Sequence, residues 1–109
     1  MKSLITPLAL LGLATGSLAH AAPDGGTLFA RNCASCHASG PGHPGTARLI
    51  IDSGPDVAVL EQRSDLNAER VTTAVRQGFQ MMPPFRRTEL SDAEVKAIAR
   101  WLSAPKSKR

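Results

Sequence analysis

Cys33-Ala34-Ser35-Cys36-His37 constrains this chain more than any other stretch. Cys-x-x-Cys-His is the attachment signature of a c-type haem. The spacing lets each thiol add across one haem vinyl group, while the adjacent His37 places an imidazole on the iron. Both cysteines of the chain lie in this motif, so one covalently bound haem c accounts for every thiol. A chain carrying that group must fold around a flat apolar object.

A bare Cys-x-x-Cys also serves as a disulfide, as half a zinc site or as a thiol redox centre. A structural zinc site takes four ligands at characteristic spacings, and His20, His37 and His43 are the histidines on offer. A thioredoxin-like enzyme sets its Cys-x-x-Cys in a βαβ frame, and no strand-rich alternation occurs here. The remote alternative is an exported thiol oxidoreductase working through Cys33 and Cys36.

The N-terminus reads as a cleavable signal peptide over residues 1–21. Lys2 gives the positive start, Leu4 to Ala14 the apolar stretch, and Ala19-His20-Ala21 an A-x-A cleavage site. Gly12, Thr15, Gly16 and Ser17 break the run before the roughly 18 apolar residues of a membrane span. Cleavage leaves residues 22–109 as one domain, exported to the periplasm, where c-type haem is attached in bacteria.

A domain of that size buries a thin core. With three Phe, one Trp and no Tyr, side chains alone make a meagre interior, and a buried porphyrin supplies the missing apolar mass. The net charge of +4 falls by one when Lys2 is removed and further with two haem propionates. No clustered basic face with groove-reading elements is visible, which argues against nucleic acid as a partner.

The pattern predicts an all-α fold of three or more helices with long loops. The first helical patch starts near Gly26, carries Leu28 and Phe29, and runs into the haem motif. The second starts at Asn67, an N-cap, with Leu66 and Val71 as a hydrophobic staple. Val71, Ala74 and Val75 form its apolar stripe and Gly78 stops it. The third opens on a capping box, Ser91 with Glu94, and a second staple, Leu90 with Val95. Val95, Ile98 and Leu102 line its face beside Trp101, a core residue, until Pro105 closes it. Between the first two patches, residues 38–60 are punctuated by Gly40-Pro41-Gly42-His43-Pro44-Gly45 and Gly54-Pro55, and read as one long irregular loop. His43 in that loop is expected to face solvent or bond the loop itself.

The other face of the iron needs a ligand. Gly78-Phe79-Gln80-Met81-Met82-Pro83-Pro84-Phe85 offers two thioethers, soft neutral donors that favour ferrous iron. The two prolines fix φ and remove two amide donors, so the segment after Met82 stays extended. The alternative for both methionines is filling gaps in the core. Composition does not choose between Met81 and Met82. Arg48 and Arg63 are candidate partners for the haem propionates, since buried carboxylates want paired donors.

Leu28-Phe29 ahead of the Cys-x-x-Cys-His motif, Met82-Pro83-Pro84-Phe85, and a last capped helix ending Trp101-Leu102 together resemble the class I c-type cytochromes. That resemblance implies the small cytochrome c fold and makes the methionine directly before proline, Met82, the second axial ligand. Filled axial positions imply one-electron transfer and no catalysis by the chain alone. Val59-Leu60-Glu61-Gln62-Arg63 and the stretch from Asp65 to Phe85 are similar to the cytochrome subunits of p-cresol methylhydroxylase-type flavocytochromes. This narrower likeness implies a flavoprotein dehydrogenase or hydroxylase of phenolic compounds as partner, with Met81 and Met82 near the exposed haem edge. The loop at 42–54 is longer than such a subunit leads one to expect. The alternative is a free-standing shuttle between dehydrogenases and a terminal oxidase or copper protein.

Overall fold

Three of the helices start where a side chain pairs the amides that a helix end leaves free. The computed structural model describes Ala21 and residues 23–109. The expected signal peptide therefore lies, apart from Ala21, outside the described residues, as does residue 22 at the start of the expected domain. Helix α1 spans Gly25–Asn32, capped by Asp24, whose carboxylate accepts from the Thr27 amide at 3.1 Å. Helix α2, Ala34–His37, is a single turn that follows directly. Helix α3 spans Pro44–Ser53, α4 Ala68–Gln77 and α5 Asp92–Ser103. Among the described residues β structure is limited to one isolated bridge, Phe79 with Met82. The fold is all-α.

Two of the predicted helices begin at the predicted residues. Asn67 Oδ1 accepts from the Arg70 amide at 2.8 Å, and both halves of the Ser91–Glu94 capping box are formed. Gly78 ends α4 at φ +75°, a backbone region that suits glycine.

The middle of the chain corrects the expectation of one irregular loop over 38–60. It contains α3 and two 3-10 turns, Pro55–Val57 and Leu60–Gln62. The physical reason is positional. Pro44 sits in the first turn of α3, where its missing N–H would have been unpaired and its φ is already helical. Gly54, at φ +93°, ends the helix. The same residues that look like punctuation are a helix start and a helix stop.

The core joins α1, α4 and α5: Leu28, Phe29, Val71, Val75, Leu90, Val95, Ile98, Ala99 and Leu102 are buried together. Phe29 packs on Trp101 with ring centroids 5.2 Å apart. Helix α1 crosses α5 at Gly25, where an added Cβ would lie 2.5 Å from Trp101 Cβ and press on the Ala97 carbonyl. Gly25→Ala is therefore expected to force the two helices apart, at the ~1–3 kcal/mol typical of overpacking, read as a lower thermal midpoint of the haem-loaded protein. Helix α3 adds only Thr46 to the buried set. Its side of the molecule is held mainly by what it lines.

Candidate haem site

The turn α2 gathers the motif. Amides of Cys36 and His37 donate to Cys33 O at 3.1 and 2.9 Å, so offsets of three and four residues bring Cys33, Cys36 and His37 to one side of a helical turn. Cys33 packs against the core and Cys36 is exposed; both are free thiols. Burial, and then the neighbouring Cys36, push the Cys33 thiol up to about 11. A thiol–disulfide nucleophile needs the opposite shift.

Helix α3 holds this turn from behind. Thr46 Oγ1 donates to Ala38 O at 2.8 Å, and His43 Nδ1 to Ser35 O at 3.0 Å. His43 thus bonds the motif turn and not its own loop, a departure from the expectation, and braces the motif from outside. A Cβ at Gly45 would sit 2.8 Å from both Cys36 O and His37 Cε1. That close approach requires glycine and sets the imidazole in a fitted cradle. Burial pushes the His37 pKa down, favouring the neutral ring that ligates metals, and Nδ1 is buried without a partner.

In front of His37 lies an apolar cleft in two lobes, of about 460 and about 250 Å³. His37, Leu49, Phe79 and Met82 border both lobes. The larger is lined also by Leu60, Leu66, Val71, Val75, Ile98 and Leu102. Cys36, Arg48 and Met81 border the smaller. A concave, mostly apolar site with few convergent polar groups suits a planar cofactor. The cradle that Gly45 makes behind His37, the apolar walls in front of it and the Cys36 thiol bordering the smaller lobe fit a haem.

Met82 is carried by a tight reversal. Phe79 and Met82 exchange amide bonds of 3.1 and 2.8 Å around Gln80 and Met81, with Gln80 at φ +50°. A Cβ on Gly78 would lie 2.6 Å from Met82 O, so glycine is required there for space as well as for φ. Met82 is half-buried against the core, whereas Met81 is 82 % exposed.

Both candidate propionate partners reach the cleft, and both already hold a carboxylate. Arg48 Nε donates to Asp52 at 2.8 Å. Arg63 is buried and grips Asp65 with two bonds, of 2.8 and 2.5 Å. Hydrogen bonding from Arg63 holds the Asp65 carboxyl down to about 2. Gly45, Leu49, Phe79 and Arg76 were not singled out as site residues from sequence. The Pro-Gly pair at 44–45 was the one available signal for the first of these.

Fold and cleft define a small monohaem cytochrome, and comparison with known proteins agrees. The family model described as cytochrome c oxidase, cbb3-type, subunit III matches residues 20–102. The chain belongs to the class I c-type cytochromes and carries one covalently bound haem c. It is similar to cytochrome c6 of Cyanidioschyzon merolae, 29% identical over 99% of this chain and 98% of that one. Cytochrome c6 of Synechococcus sp. is 32% identical over 99% and 96%, and that of Leptolyngbya boryana 31% over 74% and 88%. The likeness of residues 59–85 to p-cresol methylhydroxylase-type subunits finds no support in these relatives. Among the described residues no helix is long and apolar enough to cross a membrane.

Proposed function

We propose that the protein is a periplasmic one-electron carrier, with haem c held through Cys33 and Cys36 and its iron ligated by His37 and Met82. The observation that carries this reading is the convergence of His37 and Met82, remote in sequence, on both lobes of one apolar cleft. Haem iron with both axial positions filled exchanges one electron by outer-sphere transfer and offers no open position to oxygen or peroxide. The chain's own part is to orient the imidazole on Gly45, hold the thioether on the Phe79–Met82 turn and exclude water with Leu49, Leu60 and Val71. Arg48 borders the smaller lobe and Arg63 the larger, and either would offer a propionate a donor in exchange for or alongside its aspartate. Export rests on the signal-like residues 1–21.

The favoured placement is a free-standing shuttle between a donor such as a dehydrogenase and a terminal oxidase or copper protein. Its support is that cytochromes c6 align over nearly their whole length with this chain. A second placement, the electron-accepting subunit of a flavoprotein acting on phenolic compounds, rests on residues 59–85 and on Phe79 and Met81. Those two side chains are 59 % and 82 % exposed at the cleft mouth, an apolar edge suited to a redox partner. Gentle purification from the native source tests both. The shuttle is expected to elute alone as a small haem protein that keeps its haem on a denaturing gel. Co-elution with flavin absorbance would give the second placement, and loss of haem on denaturation would sink the covalent assignment.

A further inference from the structure

Arg76 lies in the last turn of α4, and its side chain is 15 % exposed. The guanidinium donates to three acceptors on the chain beyond Met82: Phe85 O at 3.1 Å, Leu90 O at 2.9 Å and Asp92 Oδ1 at 2.7 Å. The Phe85 amide in turn donates to Val75 O at 2.8 Å. Phe85 is thus gripped on both its polar groups by consecutive residues of one helix.

That grip falls where the backbone is least able to hold itself. Pro83 and Pro84 have no N–H to offer, so the stretch leaving Met82 has no amide donors until Phe85. Upstream, the segment is tied to α4 by chain continuity through Gly78 and closed by the Phe79–Met82 bridge. Downstream, the tie is Phe85. Three acceptors in different directions call for a planar fork of five N–H donors, which lysine does not provide.

We propose that Arg76 is a positioning residue for the methionine ligand, holding the Met82 thioether on its wall of the cleft by fixing Phe85. This rests on the reading that Met82 is the axial ligand. The contending role is purely structural, a strap between α4 and the start of α5 through Leu90 and Asp92.

The two roles separate in the ferric, haem-loaded protein. Exogenous imidazole binds iron only in molecules whose thioether is detached, so its apparent affinity reports that fraction directly. Arg76→Gln removes charge-assisted bonds and is expected to raise imidazole affinity by about tenfold and to weaken the sulfur–iron charge-transfer band. Arg76→Lys is expected to give a smaller rise in the same direction. Asp92→Asn, which loosens the strap to α5 and leaves the Phe85 grip, is expected to lower the thermal midpoint without changing imidazole affinity. A lower midpoint for Arg76→Gln with wild-type imidazole affinity and an intact band would overturn the proposal. Should that variant fail to accumulate with haem, wild-type imidazole affinity in Arg76→Lys overturns it equally. Met82→Leu is the control on the ligand assignment: if it keeps the band, that assignment falls. If it loses the band while both Arg76 variants bind imidazole like wild type, only the positioning role falls.

Discussion

Made without its haem, by replacing Cys33 and Cys36 with Ala, the chain is expected to show no cooperative thermal transition. The buried side chains fall almost wholly on α1, α4 and α5 with Leu90. Between residues 38 and 66 the buried set is Thr46, Ala58 and Arg63. Leu49, Leu60 and Leu66 of that stretch face the cleft of about 460 Å³. Filled by the cofactor, those walls bury apolar surface on both sides. Filled by water, they keep only the partial packing of Leu60 and Leu66 on the core, and the entropy of ordering about 1–2 kcal/mol per residue of backbone is left without its main offset. A domain this small has little other core to draw on. The helices α1, α4 and α5 are expected to persist as a loose, partly ordered cluster. Amide exchange should be fast throughout 38–66 and only partly slowed in α5. A sharp melting transition and slow exchange across α3 in the haem-free protein would mean that the polypeptide core suffices.

The same division explains what could be read from the sequence. Helices α4 and α5 were legible because their signals are local: Asn67 caps its own third residue, and Ser91 and Glu94 bond each other across one turn. Their apolar stripes repeat at helical spacing, and Val71, Val75, Val95, Ile98 and Leu102 are indeed buried. Helix α3 is not legible because it turns Leu49 to the cleft and buries only Thr46 against protein. Leu49 borders the cleft while Ile51 is 76 % exposed, so no ordinary core-facing pattern appears. Of its Gly and Pro residues, only the position of Pro44 relative to Gly54 marks them as helix ends.

The site divides in the same manner. Cys33, Cys36 and His37 form a contiguous motif whose spacing is its chemistry. Met82, the proposed second ligand, is pointed to by the two prolines after it, although only resemblance chooses it over Met81. Gly45 and Arg76 act across the fold, and their partners are set by how α3 meets the motif and how α4 meets the chain after the methionine turn. Arginine in a helix reads as a solvated charge until the carbonyls of Phe85 and Leu90 are seen to face it.

Replacing Met82 with Leu is expected to abolish the sulfur–iron charge-transfer band and to lower the midpoint potential by roughly a few tenths of a volt, within the ~0.8 V range over which axial ligands set haem potentials. The direction follows from the donor. A neutral, polarizable thioether stabilises ferrous over ferric iron, and its loss removes that preference. The variant reads ligation and little else, because the backbone around it is fixed independently: Gly78 abuts Met82 O, Phe79 bonds Met82 on both polar groups, and Phe85 is held to α4. Leu and Met are near in volume, so the packing cost at this half-buried position should stay below about 1.5 kcal/mol. Met81→Leu is the matched comparison. Its side chain is 82 % exposed at the tip of the turn, so band and potential should both be unchanged. The reverse pattern, band lost in Met81→Leu and kept in Met82→Leu, would move the ligand to Met81. It would also require the turn to rotate, since a half-buried Met82 and an outward Met81 cannot exchange places while the Phe79–Met82 bridge stands.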